Sequence, residues 1–292
     1  MKKSSLVDEA RAIDDLFSII PEFPHRHATS DPLWRVWNRT ARECAFKLFG
    51  PEAPEVISFG PFGELAFPFV EMGSITSVDL FGMDELIIFS FYNQNRNRYR
   101  RVVDFGANIG LHTTILSRCG FDVRSFEPDP RHIEFFKRTI SANSISVDLH
   151  QSATSVEAGE MEFVRVLGNT TGSHLSGAKR NPYGELDRFL VKVEAAEPHL
   201  RWADLAKIDI EGHEAALIEG LPLDTWTHTD AIMEVGTPEN AGRIFERFKG
   251  SSIRLFSQKR GWALVRSVAD MPESHRDGSL FVTQRDKMPW CD

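Results

Sequence analysis

Four ionisable side chains crowd into the run Asp209-Ile210-Glu211-Gly212-His213-Glu214. They follow a short apolar stretch, residues 206–210, that reads as a strand. They precede a helical pattern through Ala215, Leu217 and Ile218 that stops at Gly220, with Pro222 beyond it. Side chains alternate along an extended backbone, so Asp209 and Glu211 are expected to point the same way. A carboxylate or imidazole within reach of a hydroxyl can take its proton, an effect on the order of 10²–10⁴-fold. His213 is the candidate base, with Asp209 or Glu211 orienting it or the substrate. The structural alternative is that His213 caps or packs at the helix start while Glu211 faces the positive end of the helix dipole. Glu234 closes a later strand at 230–235; with Asp209 and Glu211 it offers hard oxygens to magnesium. The spacing is not metal-specific, so no metal is expected.

A second group has the chemistry of ligand binding. Arg101 to Phe105 reads as a buried parallel strand, and Gly106-Ala107-Asn108-Ile109-Gly110 as a turn opening a helix, where backbone amides receive a nucleotide-like ligand. The helix carries Leu111, Ile115 and Cys119, and Gly120 supplies its stop. A second apolar strand, 122–126, ends in Glu127, which follows Asp104 by 23 residues (104 to 127). That is close to the roughly 20 at which an acid meets a ribose diol. Asp129-Pro130 then reads as a helix cap followed by proline at the first helical position, with Ile133, Phe136 and Ile140 facing a core.

The glycine turn discriminates between ligands. A dinucleotide site wants Gly-x-Gly-x-x-Gly, in which the middle glycine admits a pyrophosphate. Here Asn108 holds the middle place and Thr113 the third. S-adenosylmethionine has adenosine and an amino-acid tail but no phosphate, and Asp104, Gly106, Asn108, Gly110 and Glu127 suit it better. Ser152-Ala153, after a third strand at 147–151, falls where adenine is commonly held, though packing would also explain it. The polar loop Asn169-Thr170-Thr171-Gly172-Ser173-His174 could approach an acceptor or simply be solvated. His112 and Trp262 read as structural residues.

These groups need a scaffold, and the pattern from Arg101 onward supplies one. Strands are expected at 101–105, 122–126, 147–151, 206–210 and 230–235, with a weaker hairpin-like pair at 161–166 and 189–194. Ser252–Gln258 and Trp262–Val268 read as a hairpin turning on Lys259-Arg260-Gly261, and 279–285 as a final strand. Residues 1–98 have a different texture: two amphipathic helices, 6–20 and 34–49, then short strands and turns between Val56 and Leu80. The chain is therefore expected to divide near residue 98. Residues 1–98 form an α+β extension, a substrate cap or an oligomerisation layer, and 99–292 the ligand-binding domain.

Composition narrows the class. The 292 residues carry 34 basic and 42 acidic side chains, a net charge of −8 that argues against gripping nucleic acid. The arginine-rich run 96–101 reads as a solvated linker. Cys44, Cys119 and Cys291 are distant and odd in number, which disfavours a disulfide frame or zinc site. The N-terminus leads from Lys2 and Lys3 into acidic residues, unlike a signal peptide. The longest apolar run, Leu86 to Tyr92, is too short to span a bilayer. A cytoplasmic enzyme is expected, with no membrane or nucleic-acid partner and homo-oligomerisation left open.

Val103-Asp104-Phe105-Gly106-Ala107-Asn108-Ile109-Gly110, then Phe126-Glu127-Pro128, then Lys207-Ile208-Asp209-Ile210-Glu211-Gly212-His213-Glu214, then Met233-Glu234 resembles, in that order, the FkbM family of S-adenosylmethionine-dependent methyltransferases. The resemblance covers roughly residues 100–285, and Asp-Ile-Glu-Gly-His-Glu is its most distinctive part. It implies an α/β class I methyltransferase fold, Rossmann-like, with a seven-stranded sheet, helices on both faces and an antiparallel last strand. It also implies S-adenosylmethionine as donor and a small-molecule or glycan hydroxyl as acceptor. N-methylation, a nicotinamide-dependent oxidoreductase and a non-catalytic module on the same scaffold are the competing readings; the missing middle glycine counts against the oxidoreductase.

Overall fold

The structure, a computed structural model, describes residues 2–290 except 180 and 183, with residues 2–5 as backbone only. Helices α1 (Lys2–Ile19) and α2 (Pro32–Phe49) pack together at the N-terminus. Asp31 caps α2 by accepting the Leu33 amide at 2.8 Å, and Pro32 sets the first helical φ. The expected strands between 56 and 80 reduce to a two-residue ladder, β1 (Ile57–Ser58) with β2 (Glu64–Leu65), because phenylalanines consume this stretch as core. Phe17, Phe49, Phe59, Phe62 and Phe81 interlock, with Phe49 stacked on Phe81 at 4.0 Å and Phe17 edge-on to Phe59 at 5.3 Å. Truncating one such ring costs about 3–5 kcal/mol.

The apolar run Leu86–Tyr92 lies in helix α3 (Met83–Gln94), in which Met83 and every residue of that run are buried. A helix apolar all round must be covered all round. It packs on helix α4 (Leu111–Arg118), and Val102, Leu205, Ile232 and Phe281 from one face of the large sheet join the same buried cluster as α3 and the phenylalanines. Residues 2–98 thus share a core with the sheet.

Order along the chain gives the architecture. β3 (Arg101–Phe105), α4 (Leu111–Arg118), β4 (Asp122–Phe126), α5 (Pro130–Ala142) and β5 (Asp148–His150) come first. β6 (Ala153–Ser155), β7 (Gly159–Val166), β8 (His174–Leu175) and β9 (Leu186–Ala195) follow, then α6 (Glu197–Trp202), β10 (Leu205–Ile208), α7 (Glu214–Gly220), β11 (Asp230–Glu234) and α8 (Pro238–Phe248). β12 (Arg254–Ser257), β13 (Ala263–Leu264) and β14 (Ser279–Thr283) finish it. The large sheet runs β13-β12-β14-β11-β10-β3-β4-β5. β5, β4, β3, β10 and β11 are parallel, whereas β14 is antiparallel to both β11 and β12. Without the edge strand β13, this is the strand order 3-2-1-4-5-7-6 of the class I methyltransferase Rossmann-like fold. Ala206, Ile208, Ala231 and Met233 face the second layer, α6, α7 and α8, so period-two alternation divides the sheet's side chains between two cores.

Three expectations change. The sheet has eight strands, because β13 adds a two-residue edge. The pair at 161–166 and 189–194 belongs to a separate four-stranded sheet, β6-β9-β7-β8, with its own small core of Phe163, Leu175, Val191 and Val193. The strand expected at 206–210 ends at Ile208, since Glu211 and Gly212 take left-handed φ of 55° and 103°. Trp262 packs as expected, buried with Nε1 donating to His27 Nδ1 at 2.9 Å. Cys44 and Cys119 are free thiols, and Cys291 lies outside the described residues. Among the described residues, no helix is long and apolar enough to cross a membrane.

Candidate active site

The strand order reverses between β3 and β10, and at such a switch point the loops after the strands part to leave a crevice. A cleft of about 850 Å³ opens there. Its floor is the glycine turn. Gly106 has φ +81°, and a Cβ on it would lie 1.8 Å from the Asp209 carbonyl oxygen, so only glycine lets the two loops meet. The Gly106 and Ala107 amides both donate to the Phe126 carbonyl, at 3.0 and 2.9 Å. Asn108 takes φ 51°, a left-handed conformation that asparagine tolerates.

Glu127 is buried at the lip of this turn. One oxygen accepts the Asn108 amide at 2.9 Å and the other the Asp129 amide at 2.8 Å. A carboxylate has about four acceptor positions, so both oxygens keep capacity toward the cleft they line. Gly106, Asn108, Glu127 and Ala153 line the cleft, joined by Thr154. Asp104, Gly110 and Ser152 do not. Asp104 is fully buried, accepts from Thr113 Oγ1 at 2.7 Å and pairs with Lys207 Nζ at 3.6 Å, so it braces the turn from beneath. Gly110 (φ +88°) starts α4 under the Phe136 ring, and Ser152 donates to Glu194 at 3.0 Å.

The acidic block divides in the same way. Asp209 and Glu211 reach the cleft. They do so from a left-handed turn, not from the extended strand that the alternation predicts. Strain of this kind, costing about 1–3 kcal/mol, clusters at working sites. His213 is absent from the cleft lining: it begins α7 with Nε2 2.9 Å from Ser155 Oγ, and burial followed by the charge of Arg243 pushes its pKa below the usual value. The turn's irregular dihedrals send it to the other side. Glu214 accepts the Ile210 amide at 2.9 Å and the Gly212 amide at 3.0 Å and closes the turn; burial pushes its carboxyl up to about 7.

Several lining residues were not assigned from sequence. Lys207 is buried, donates to the Gly106 carbonyl at 3.0 Å and lies 3.4 Å from Asp209. Burial opposes its charge, yet Asp209, Asp104 and Glu85 hold its pKa above the ordinary lysine value. One lysine in an otherwise apolar strand, two residues before Asp209, was the available signal. Glu211 accepts from Lys179 Nζ at 2.6 Å; burial and then the Asp209 charge push its carboxyl up to about 7. Burial raises the Glu234 carboxyl well above its usual value, with Asp209 and Glu211 adding to it. Glu85 of α3 lines the cleft beside His112, whose Nε2 is 2.8 Å from it and whose Nδ1 is 3.1 Å from the Tyr92 hydroxyl. Nothing local in the sequence marks Trp34, Asn38 and Asp84, which also line the cleft.

Among the described residues, three buried polar atoms on lining residues have no hydrogen-bond partner: Asn108 Oδ1, Thr154 Oγ1 and Asp209 Oδ1. Two of these can only accept, so the cleft suits a ligand that brings hydroxyl, amino or ammonium donors. Asp209, Glu211 and Glu234 line the same space, but among the described residues no three histidines, cysteines or acids converge into a metal-binding group.

No family model matches the chain. Over 155 residues it is 25% identical to Methyltransferase 1 of Beauveria bassiana (strain ARSEF 2860), an alignment that spans 45% of this chain and 62% of that protein. Over 87 residues it is 32% identical to the InaD-like protein of Rattus norvegicus, spanning 30% of this chain and 4% of that one. The chain thus covers less than two thirds of the curated relatives it matches. Among solved structures, a SAM-dependent methyltransferase from Agrobacterium tumefaciens aligns with 80% of this chain and 71% of its own, at TM-score 0.42 and 10% identity. An SAH-bound methyltransferase from Podospora anserina aligns with 68% and 79%, at 0.36 and 10%.

Proposed function

We propose that the chain is an S-adenosylmethionine-dependent methyltransferase of the FkbM type that methylates a hydroxyl oxygen of a sugar, glycan or secondary metabolite. The observation that carries the reading is the meeting, in one cleft at the sheet's switch point, of Glu127 and the Gly106–Asn108 turn with Asp209 and Glu211. The unpartnered acceptors fit the donor molecule, whose ribose, adenine amine and ammonium are all hydrogen-bond donors. When bound, S-adenosylmethionine supplies a methyl group already activated on a cationic sulfur.

The protein's part is then alignment, exclusion of water and removal of one proton. Glu127 would accept from the ribose hydroxyls, Asn108 and Asp209 would receive donors at the tail end, and Ala153 and Thr154 would border the adenine. Glu211 is suited to take the acceptor's proton on a carboxylate oxygen, because a base with a pKa near neutrality combines availability with driving force. Lys179 holds it in place. Trp34, Asn38 and Asp84 from the first 98 residues offer an aromatic plane and polar groups to a hydroxyl-rich acceptor, which is the substrate-cap role. His213 has no part in this scheme, since it faces Ser155.

Titration calorimetry of the protein with S-adenosylhomocysteine and, separately, NAD tests the donor. S-adenosylhomocysteine is expected to bind and NAD not to. Binding of NAD alone would refute the reading. Transfer of a radiolabelled methyl group to a panel of methyl glycosides and simple amines then separates O- from N-transfer.

A further inference from the structure

Arg165 stands outside the cleft, on β7 of the four-stranded sheet, yet it makes a side-on ion pair in which both partners are buried. Its Nε and Nη2 reach the two Asp129 oxygens at 2.7 and 2.6 Å, and Asp129 is fully buried. The third arm, Nη1, reaches Asp187 at 2.7 Å; Asp187 lies directly opposite on β9, and the guanidinium sits 4.6 Å over the Phe189 ring. Every direction of the guanidinium plane is therefore fixed.

Capping α5 does not require this. Asp129 already accepts the Arg131 amide at 2.8 Å, and a buried ion pair adds little net stability once its desolvation is counted. What a two-pronged arginine adds is orientation. The oriented group is the Asp129 peptide, whose N–H holds Glu127 Oε1. A second string ends at the same oxygen: Thr170, in the loop after β7, is 3.1 Å from His132 Nε2, and His132 Nδ1 is 3.7 Å from Glu127 Oε1. The Thr170 amide in turn donates to the Met72 carbonyl at 3.0 Å. Two connections thus run from the small sheet to one carboxylate.

We propose that Arg165 is a positioning residue for donor binding: through Asp129 it fixes Glu127 in the orientation that presents its carboxylate to the ribose diol. The small four-stranded sheet, whose Ala153, Thr154, Phe163 and Leu175 line the cleft directly, then also acts on the donor site through a residue that does not touch the cleft. The proposal rests on the methyltransferase reading above.

Calorimetry with S-adenosylhomocysteine tests it on wild type, Glu127→Ala, Arg165→Met, Arg165→Lys and the double variant Glu127→Ala/Arg165→Met, each checked for folding by its melting transition. Arg165→Met is expected to weaken binding about tenfold, and Arg165→Lys, which keeps the charge without the fork, to recover part of that loss. The double variant is expected to bind no more weakly than Glu127→Ala, because Arg165 acts only through Glu127. A general structural role predicts instead that the two losses multiply, and that result overturns the proposal. So does binding by Arg165→Met within twofold of wild type. If Arg165→Met does not fold, Arg165→Lys and its double variant with Glu127→Ala decide by the same comparison. Failure of wild type itself to bind S-adenosylhomocysteine would strike the methyltransferase reading first and the inference with it.

Discussion

Replacing Lys207 by methionine leaves the volume of the strand nearly unchanged and removes one charge from beneath the cleft. Lys207 is 6% exposed and lies 3.6 Å from Asp104, which is fully buried, and 3.4 Å from Asp209. Its ammonium also donates to the Gly106 carbonyl, the turn that only glycine can form. Removing one partner of a buried ion pair costs about 3–5 kcal/mol, because the other charge stays buried without compensation. At about 2 °C per kcal/mol for a chain of this size, the melting temperature should fall by about 6–10 °C. The sign with pH follows from the mechanism. Lys207 has a raised pKa, so in wild type its contribution is complete below the ordinary lysine value and is lost only as pH rises through the raised one, in strong alkali. Between pH 4 and 8 the wild-type ammonium is constant. In Lys207→Met the deficit is an uncompensated negative charge, so it shrinks as acid protonates the carboxylates. Thermal melting followed by circular dichroism at pH 7.5 and pH 4.5 measures both quantities. A loss under about 2 °C at pH 7.5, or an equal loss at both pH values, would refute the argument that Lys207 is the counter-charge that makes Asp104 and Asp209 tolerable.

Three further outcomes follow from the geometry. Gly106→Ala places a methyl group 1.8 Å from the Asp209 carbonyl oxygen at φ +81°, so it should cost about 3 kcal/mol or more and abolish S-adenosylhomocysteine binding; a normal melt with normal binding would contradict the turn as described. The raised carboxyls of Glu211 and Glu214, both about 7 against 4.5, mean that their favourable contribution is complete below pH 4.5 and is lost as pH rises toward 7. Glu211→Gln should therefore flatten the fall in stability over that window, measured by urea unfolding at intervals of pH. It should also remove an ascending limb near pH 7 from the methyl-transfer profile, and a surviving limb would show that the base is elsewhere. His213→Ala should lose about 1 kcal/mol with its Ser155 hydrogen bond while donor binding and transfer stay within about twofold; a collapse of transfer in a folded variant would return His213 to the site.

Local chemistry made much of this legible. The glycine turn was readable because three constraints coincide over five residues, two left-handed glycines and a left-handed asparagine after an apolar strand. The α5 cap at Asp129 and the C-terminal hairpin followed from the same short-range rules of capping, turn chemistry and alternation, whereas the order of the parallel strands came from the family resemblance. Glu127 was found because a strand-turn-helix-turn-strand unit has a nearly fixed length.

The sequence by itself determined the succession of strands and helices and the glycine turn, since those depend on interactions among residues a few positions apart. Tertiary structure decided which members of the acidic block face the cleft. Asp209 and Glu211 do and His213 does not, because the chain leaves the strand at Ile208 through two left-handed residues, and in such a turn alternation no longer fixes side-chain direction. It also decided that Glu85 meets His112, that Lys207 lies between two carboxylates, and that Arg165 reaches Asp129 from another sheet. Glu85 with His112, Lys207 with Asp104 and Arg165 with Asp129 join residues distant in the chain, and it is the packing of α3 on α4, the parallel pairing of β10 with β3 and the approach of the small sheet to α5 that bring them together.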